Sequence, residues 1–143
     1  MAPLQTMPTF SELSCIEKET VIRELGYSDN RGSSPIIAII IHGLQHPMSV
    51  HYGMRHNVPE HCTAWHIPSY IKCMTSLGIA IPKGELQEDK REELRAVVQC
   101  WMNKYKITAD KIVRHYDLNI KCLCPEAYVE PKKWVDLLAY ITR

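Results

Sequence analysis

Apolar residues first recur at approximately helical spacing in Leu13, Ile16, Val21 and Leu25, behind a Thr9-x-x-Glu12 capping box that can satisfy the first amides of a helix. The pattern predicts a helix over residues 9–26. It is ended by Tyr27-Ser-Asp-Asn-Arg-Gly-Ser-Ser-Pro35, a stretch dense in turn formers. Ile36-Ile-Ala-Ile-Ile-Ile41 follows, apolar without alternation, as expected of a strand covered on both faces. Shorter runs at 49–54, 62–67 and Ser76-Leu-Gly-Ile-Ala-Ile81, separated by proline-containing turns, predict further strands. Over 85–105, Leu86, Leu94, Val97, Val98, Trp101 and Tyr105 share one face opposite a charged one, which predicts a long amphipathic helix. Residues 111–115 predict a short strand, and Pro131 opens a last helix with Trp134, Leu137, Leu138 and Ile141 turned inward. Strands interleaved with amphipathic helices predict an α/β fold, a central mixed β-sheet flanked by helices. An N-terminal helix and linker, residues 1–35, are expected to precede a core of residues 36–143 within a single domain.

Composition narrows the class. A chain of 143 residues has the size of one domain and can bury a core without covalent staples. No run approaches the roughly 18 apolar residues that a membrane-spanning helix requires, so no membrane association is expected. The formal charge of +1, with Lys and Arg dispersed, creates no field that would gather nucleic acid. The start, Met1-Ala-Pro-Leu-Gln-Thr-Met-Pro8, has neither the basic residues nor the apolar stretch of a secretory signal. Cytoplasmic synthesis is therefore expected, with release by lysis or a separate pore as the route out. In that compartment Cys15, Cys62, Cys73, Cys100, Cys122 and Cys124 read as thiols, mostly small buried hydrophobes.

Of the seven histidines, His46, His56 and His61 fall in expected turns and read as solvated side chains. His42 differs, because it follows the apolar run at the carboxyl end of an expected central strand, where open α/β sheets collect their ligands. His115 likewise ends a short apolar segment, and Lys121-Cys-Leu-Cys-Pro125 follows after a turn. Two neutral imidazoles and one thiolate suit Zn2+ and leave a fourth position open, as catalytic zinc sites do. Either Cys122 or Cys124 can supply the thiolate.

Several segments, in one order, resemble a known family. Ile39-Ile-Ile-His42, Ser49-Val-His-Tyr52, Thr63-Ala-Trp-His66, Ser76-Leu-Gly-Ile79, Ile112-Val-Arg-His-Tyr-Asp117 and Cys124-Pro125 are similar to segments of the zinc-dependent N-acetylmuramoyl-L-alanine amidases. That family includes phage endolysins, bacterial cell-wall amidases and peptidoglycan recognition proteins. The likeness covers roughly residues 36–138 and implies the family's α/β fold. It further implies hydrolysis of the amide between N-acetylmuramic acid and L-alanine in peptidoglycan or muropeptides. The implied zinc ligands are His42, His115 and Cys124, with Cys122 the alternative. Lys121 is the implied catalytic cation for the oxyanion, and Tyr52, Trp65 and His66 the implied lining of the substrate groove. Two departures bear on activity. Ala80 stands where many members carry a glutamate general base, and only residues 43–48 connect two strands that the family joins by a helix-containing segment. The helix over 9–26 is expected to fill that place. Ala80 also motivates a competing expectation, a weak or inactive relative that binds muropeptide or a protein partner through a retained zinc groove. A closed, purely structural zinc site follows only if both cysteines bind.

Overall fold

The structure, a computed structural model, describes residues 27–28, 34–43, 50–53, 57–64, 66–67 and 70–143. The helix expected over 9–26, its place on the sheet, the link after Gly43 and Trp65 lie outside the described residues. The elements are β1 (Tyr27–Ser28), β2 (Ala38–Gly43), β3 (Thr63–Ala64), α1 (Tyr70–Met74), β4 (Ser76–Ile81), α2 (Glu88–Tyr105), β5 (Ile112–Arg114), α3 (His115–Leu118) and α4 (Pro131–Thr142).

The apolar run after Pro35 does form the middle strand of a three-stranded sheet, in the order β4-β2-β5. Both neighbours run parallel to β2, with Ile40 opposite Gly78 and Val113, and His42 opposite Ala80. Among the described residues, antiparallel pairing is confined to β1 and β3. This is the expected central, helix-flanked sheet, and its pairings among the described residues are parallel. All six positions of β4 are buried, as are five of the six in β2, which is the condition under which parallel strands exist. The segment expected as a strand over 49–54 contributes, among its described residues, a single parallel bridge from Tyr52 to Ile79.

Alternation along the strands divides the sheet into two faces. Ile39, Ile41, Leu77, Ile79, Ile81 and Ile112 pack against Leu94, Val98 and Trp101 of α2 and Trp134, Leu137 and Ile141 of α4. This is the main core, and the helical spacing of 94, 98 and 101 explains why α2 lies there. Helix α4 starts cleanly because the Glu130 side chain accepts hydrogen bonds from the amides of Lys132 and Lys133 while Pro131 occupies the first turn. The opposite face is thinner: Ile40 packs with Ile67, Cys73 and Val113. Residues 38, 40 and 42 share that face, so β2 delivers His42 to it. Among the described residues no helix is long and apolar enough to cross a membrane.

Candidate metal centre

All three parallel strands end at one edge of the sheet, and His42 is the penultimate residue of β2 there. His115 follows β5 directly. Lying two residues beyond Val113, it continues on the thin face and opens the single turn α3. Arg114, one residue out of phase, enters the main-core side and fixes that turn. Its Nη2 meets Asp117 Oδ1 at 2.5 Å and its Nε donates to Oδ2 at 3.1 Å, while the Arg114 amide donates to the same Oδ2 at 2.8 Å. The Arg114 Nη1 also donates to the carbonyls of Tyr128 and Val129. The arginine thus joins the His115 turn to the segment that follows Cys124. A further tie runs from the Tyr116 amide to the Cys124 carbonyl at 2.9 Å.

Burial works to raise the Asp117 carboxyl, but hydrogen bonds and charge from Arg114 outweigh it and hold the group below the usual carboxylate range. A lowered folded value means the pair's stabilisation is present above the unfolded value, about pH 4, and is lost as pH falls through the folded one. Breaking a largely buried pair by removing one partner costs about 3 kcal/mol. Arg114→Ala is accordingly expected to lower the urea midpoint strongly at pH 7 and much less near pH 3. An equal drop at both pH values would count against the pair as its cause.

These ties bring His42, His115 and Cys124 together, their ligand atoms all within 4.8 Å of one another. His42 and Cys124 are buried and His115 is half-buried. Zinc bonds of roughly 2.0–2.3 Å in a tetrahedron separate neighbouring ligands by roughly 3.3–3.8 Å, a spacing this trio encloses. Burial pushes the Cys124 thiol up, opposed by the Gly43 amide, which donates to its Sγ at 3.1 Å. A buried thiol beside two imidazoles becomes a thiolate readily only when a cation joins it. The donor set therefore fits Zn2+. Among the described residues no carboxylate joins the group.

Cys122 stands outside the trio, with its Sγ 3.5 Å from His115 Nδ1. Lys121 is exposed on the turn leading to Cys124, its amide donating to Asn119 Oδ1. Beside it, Leu118, Ile120 and Leu123 are exposed apolar side chains, Ile120 by 73%. Of the residues implied as groove lining, Tyr52 and His66 are described. Tyr52 donates from its hydroxyl to Glu93 of α2 at 2.7 Å, on the face of the sheet away from the trio. Burial and that carboxylate push its phenol up to about 12. It borders a cavity of about 210 Å³ with Ile79, Leu86 and Leu94. His66 is only 3% exposed and packs behind His42 rather than in an open groove. Its Nδ1 is 2.8 Å from His42 Nε2, and its Nε2 is 3.0 Å from Ser76 Oγ.

Sequence reasoning had no role for Ser76 or His51. The latter accepts at Nδ1 from the Gly78 amide and donates from Nε2 to the Cys62 carbonyl, so it braces the same face. The one available signal was Gly78 inside a strand: a Cβ there would come within 2.9 Å of the His66 ring. The cysteines behave largely as expected, with Cys62, Cys73 and Cys124 buried, but Cys100 is exposed. None of the described cysteines forms a disulfide.

Comparison with solved structures decides the fold. The catalytic domain of XlyA superposes with a TM-score of 0.62 at 15% identity, covering 78% of this chain and 91% of that one. A glutamate-to-alanine mutant of PlyL gives 0.60 at 14%, covering 86% and 92%, and PlyL itself gives 0.60 at 11%, covering 87% and 92%. The chain has the amidase-like endolysin fold, as its motifs implied. No protein-family model and no curated protein matches the chain.

Proposed function

We propose that the chain is a peptidoglycan hydrolase of the zinc amidase type, cutting between N-acetylmuramic acid and L-alanine. The observation that carries this reading is the convergence of His42, His115 and Cys124 at the carboxyl edge of a parallel sheet. The likeness in fold to the catalytic domain of XlyA supports it.

His42, His115 and Cys124 would hold the ion. The chemistry such a site supplies when loaded is Lewis-acid activation of water and of the scissile carbonyl at neutral pH. The protein's own contribution is to fix the ligands. Lys121, exposed on the turn before Cys124, is the cation for the developing oxyanion. Leu118, Ile120 and Leu123 give the rim an apolar surface against which a glycopeptide can lose water. The same exposed rim, together with the lack of a carboxylate at position 80, favours a second reading in which the site binds muropeptide or a protein partner and turns over slowly.

The test is to measure zinc in the purified chain and then incubate it with peptidoglycan, following new L-alanine amino termini. About one zinc per chain and time-dependent release, abolished by a chelator and restored by zinc, is the expected result. Zinc without any new amino termini, at every protein concentration tried, would reject the hydrolase and leave the binding reading.

A further inference from the structure

Three hydrogen bonds lead from His42 back into the protein. His42 Nε2 meets His66 Nδ1 at 2.8 Å, His66 Nε2 meets Ser76 Oγ at 3.0 Å, and Ser76 Oγ meets the Lys72 carbonyl at 2.5 Å. The direction of each bond follows from the far end. A carbonyl only accepts, so the single Ser76 hydroxyl proton points to Lys72. The Ser76 oxygen then offers lone pairs to His66, whose Nε2 must donate. In a neutral His66 this leaves Nδ1 as the acceptor, and His42 Nε2 must supply the proton. His42 consequently keeps its lone pair on Nδ1.

We propose that His66 is a positioning residue: with Ser76 it locks His42 in the Nε2–H form, so that Nδ1 is the metal-binding nitrogen. Its consequence for zinc rests on the hydrolase reading above, but the hydrogen-bond chain does not. Outer partners of this kind fix both the tautomer and the ring orientation of metal-binding histidines. The anchoring is local here, because Lys72 lies in the last turn of α1, four residues before Ser76 at the start of β4, and Gly78 gives the His66 ring its room. His51, its ring 6.2 Å from that of His66, holds the Gly78 amide from the other side. The resemblance had assigned His66 to substrate; the bonds give it a different task.

The experiment uses metal-free chain labelled with ¹⁵N at histidine, read by long-range ¹H–¹⁵N correlation, alongside zinc titration of the same samples. In the native chain His42 and His66 are both expected to carry their proton on Nε2. His66→Ala and Ser76→Ala should shift His42 toward mixed tautomers and weaken zinc binding by about 10- to 100-fold. His66→Gln, whose side-chain carbonyl can still accept from His42, should recover most of the affinity. A native His42 protonated on Nδ1 would overturn the proposal, as would His66→Ala or Ser76→Ala variants with unchanged tautomer and affinity. Ser76→Ala removes only a hydroxyl and keeps the question answerable if His66→Ala does not fold. A native chain that binds no zinc would sink the hydrolase reading, while the metal-free spectra would still decide the tautomer.

Discussion

His115→Ala is expected to strip the chain of zinc at micromolar metal and to reduce release of L-alanine amino termini by about 10³-fold. Apparent zinc binding of about 10–16 kcal/mol spread over four ligands gives about 2.5–4 kcal/mol per ligand, and with each 1.4 kcal/mol or so tenfold the upper end is about 10³-fold. His42→Ala should behave likewise. The cysteines separate more sharply. Cys124 belongs to the trio, is fully buried and receives the Gly43 amide, so Cys124→Ser should match the histidine variants. Cys122 lies beside His115 Nδ1 and the Cys124 thiol, contacts that a serine hydroxyl can replace, so Cys122→Ser should keep zinc within about tenfold. Zinc content by mass spectrometry, read beside peptide release, checks all four. The assignment of the thiolate is wrong if Cys122→Ser loses the metal and Cys124→Ser keeps it.

The parts of this fold that were legible in the sequence are those where the physics is local. The unbroken apolar runs of β2 and β4 announce strands covered on both faces, and the 94, 98 and 101 spacing of α2 announces a helix lying on them. His42 and His115 were legible for the same reason, since each follows such a run and so stands at the ligand-collecting edge. What failed to show depends on partners far along the chain. The segment expected as a strand over 62–67 contracts to Thr63–Ala64 and pairs with β1 rather than with the central sheet. Two residues carry no alternation that could reveal a partner. Tyr52 is comparable: its bridge to Ile79 sends the side chain to α2 and Glu93, and no feature of Ser49-Val-His-Tyr52 fixes that phase. That Cys124 rather than Cys122 groups with the two histidines depends on contacts such as the Gly43 amide on its sulfur, which spacing along the turn does not contain.

The architecture of the centre therefore lies mostly behind its ligands. Gly43 holds Cys124, the Arg114–Asp117 pair holds the His115 turn, and His66 holds His42. Each support comes from a different element, so the trio is held from several sides by the protein itself. Such preorganisation suits either tight binding or catalysis, and it does not distinguish between them. The distinguishing position is the one opposite His42 in the neighbouring strand.

Ala80→Glu is expected to raise peptide release at pH 7 by about 10²-fold or more, the usual contribution of a general base being about 10²–10⁴. Ala80 is the register partner of His42 across β2 and β4, and residues paired in this way share a face of the sheet. A longer side chain there starts beside the trio, and the resemblance implies a glutamate at this place. The cost is structural. Ala80 is 4% exposed, so the new carboxyl must either reach solvent or displace neighbours, with a loss of about 1–3 kcal/mol. Burial alone would raise the new carboxyl, whereas a zinc ion nearby would favour its ionised form, so the gain should appear only in metal-loaded chain. Ala80→Gln provides the control, with nearly the same volume and no base. If both variants release peptide at the native rate while retaining zinc, a missing base is not what limits this site, and the muropeptide-binding reading becomes the stronger one. If Ala80→Glu alone gains, the native chain has a complete ligand shell and an incomplete proton path.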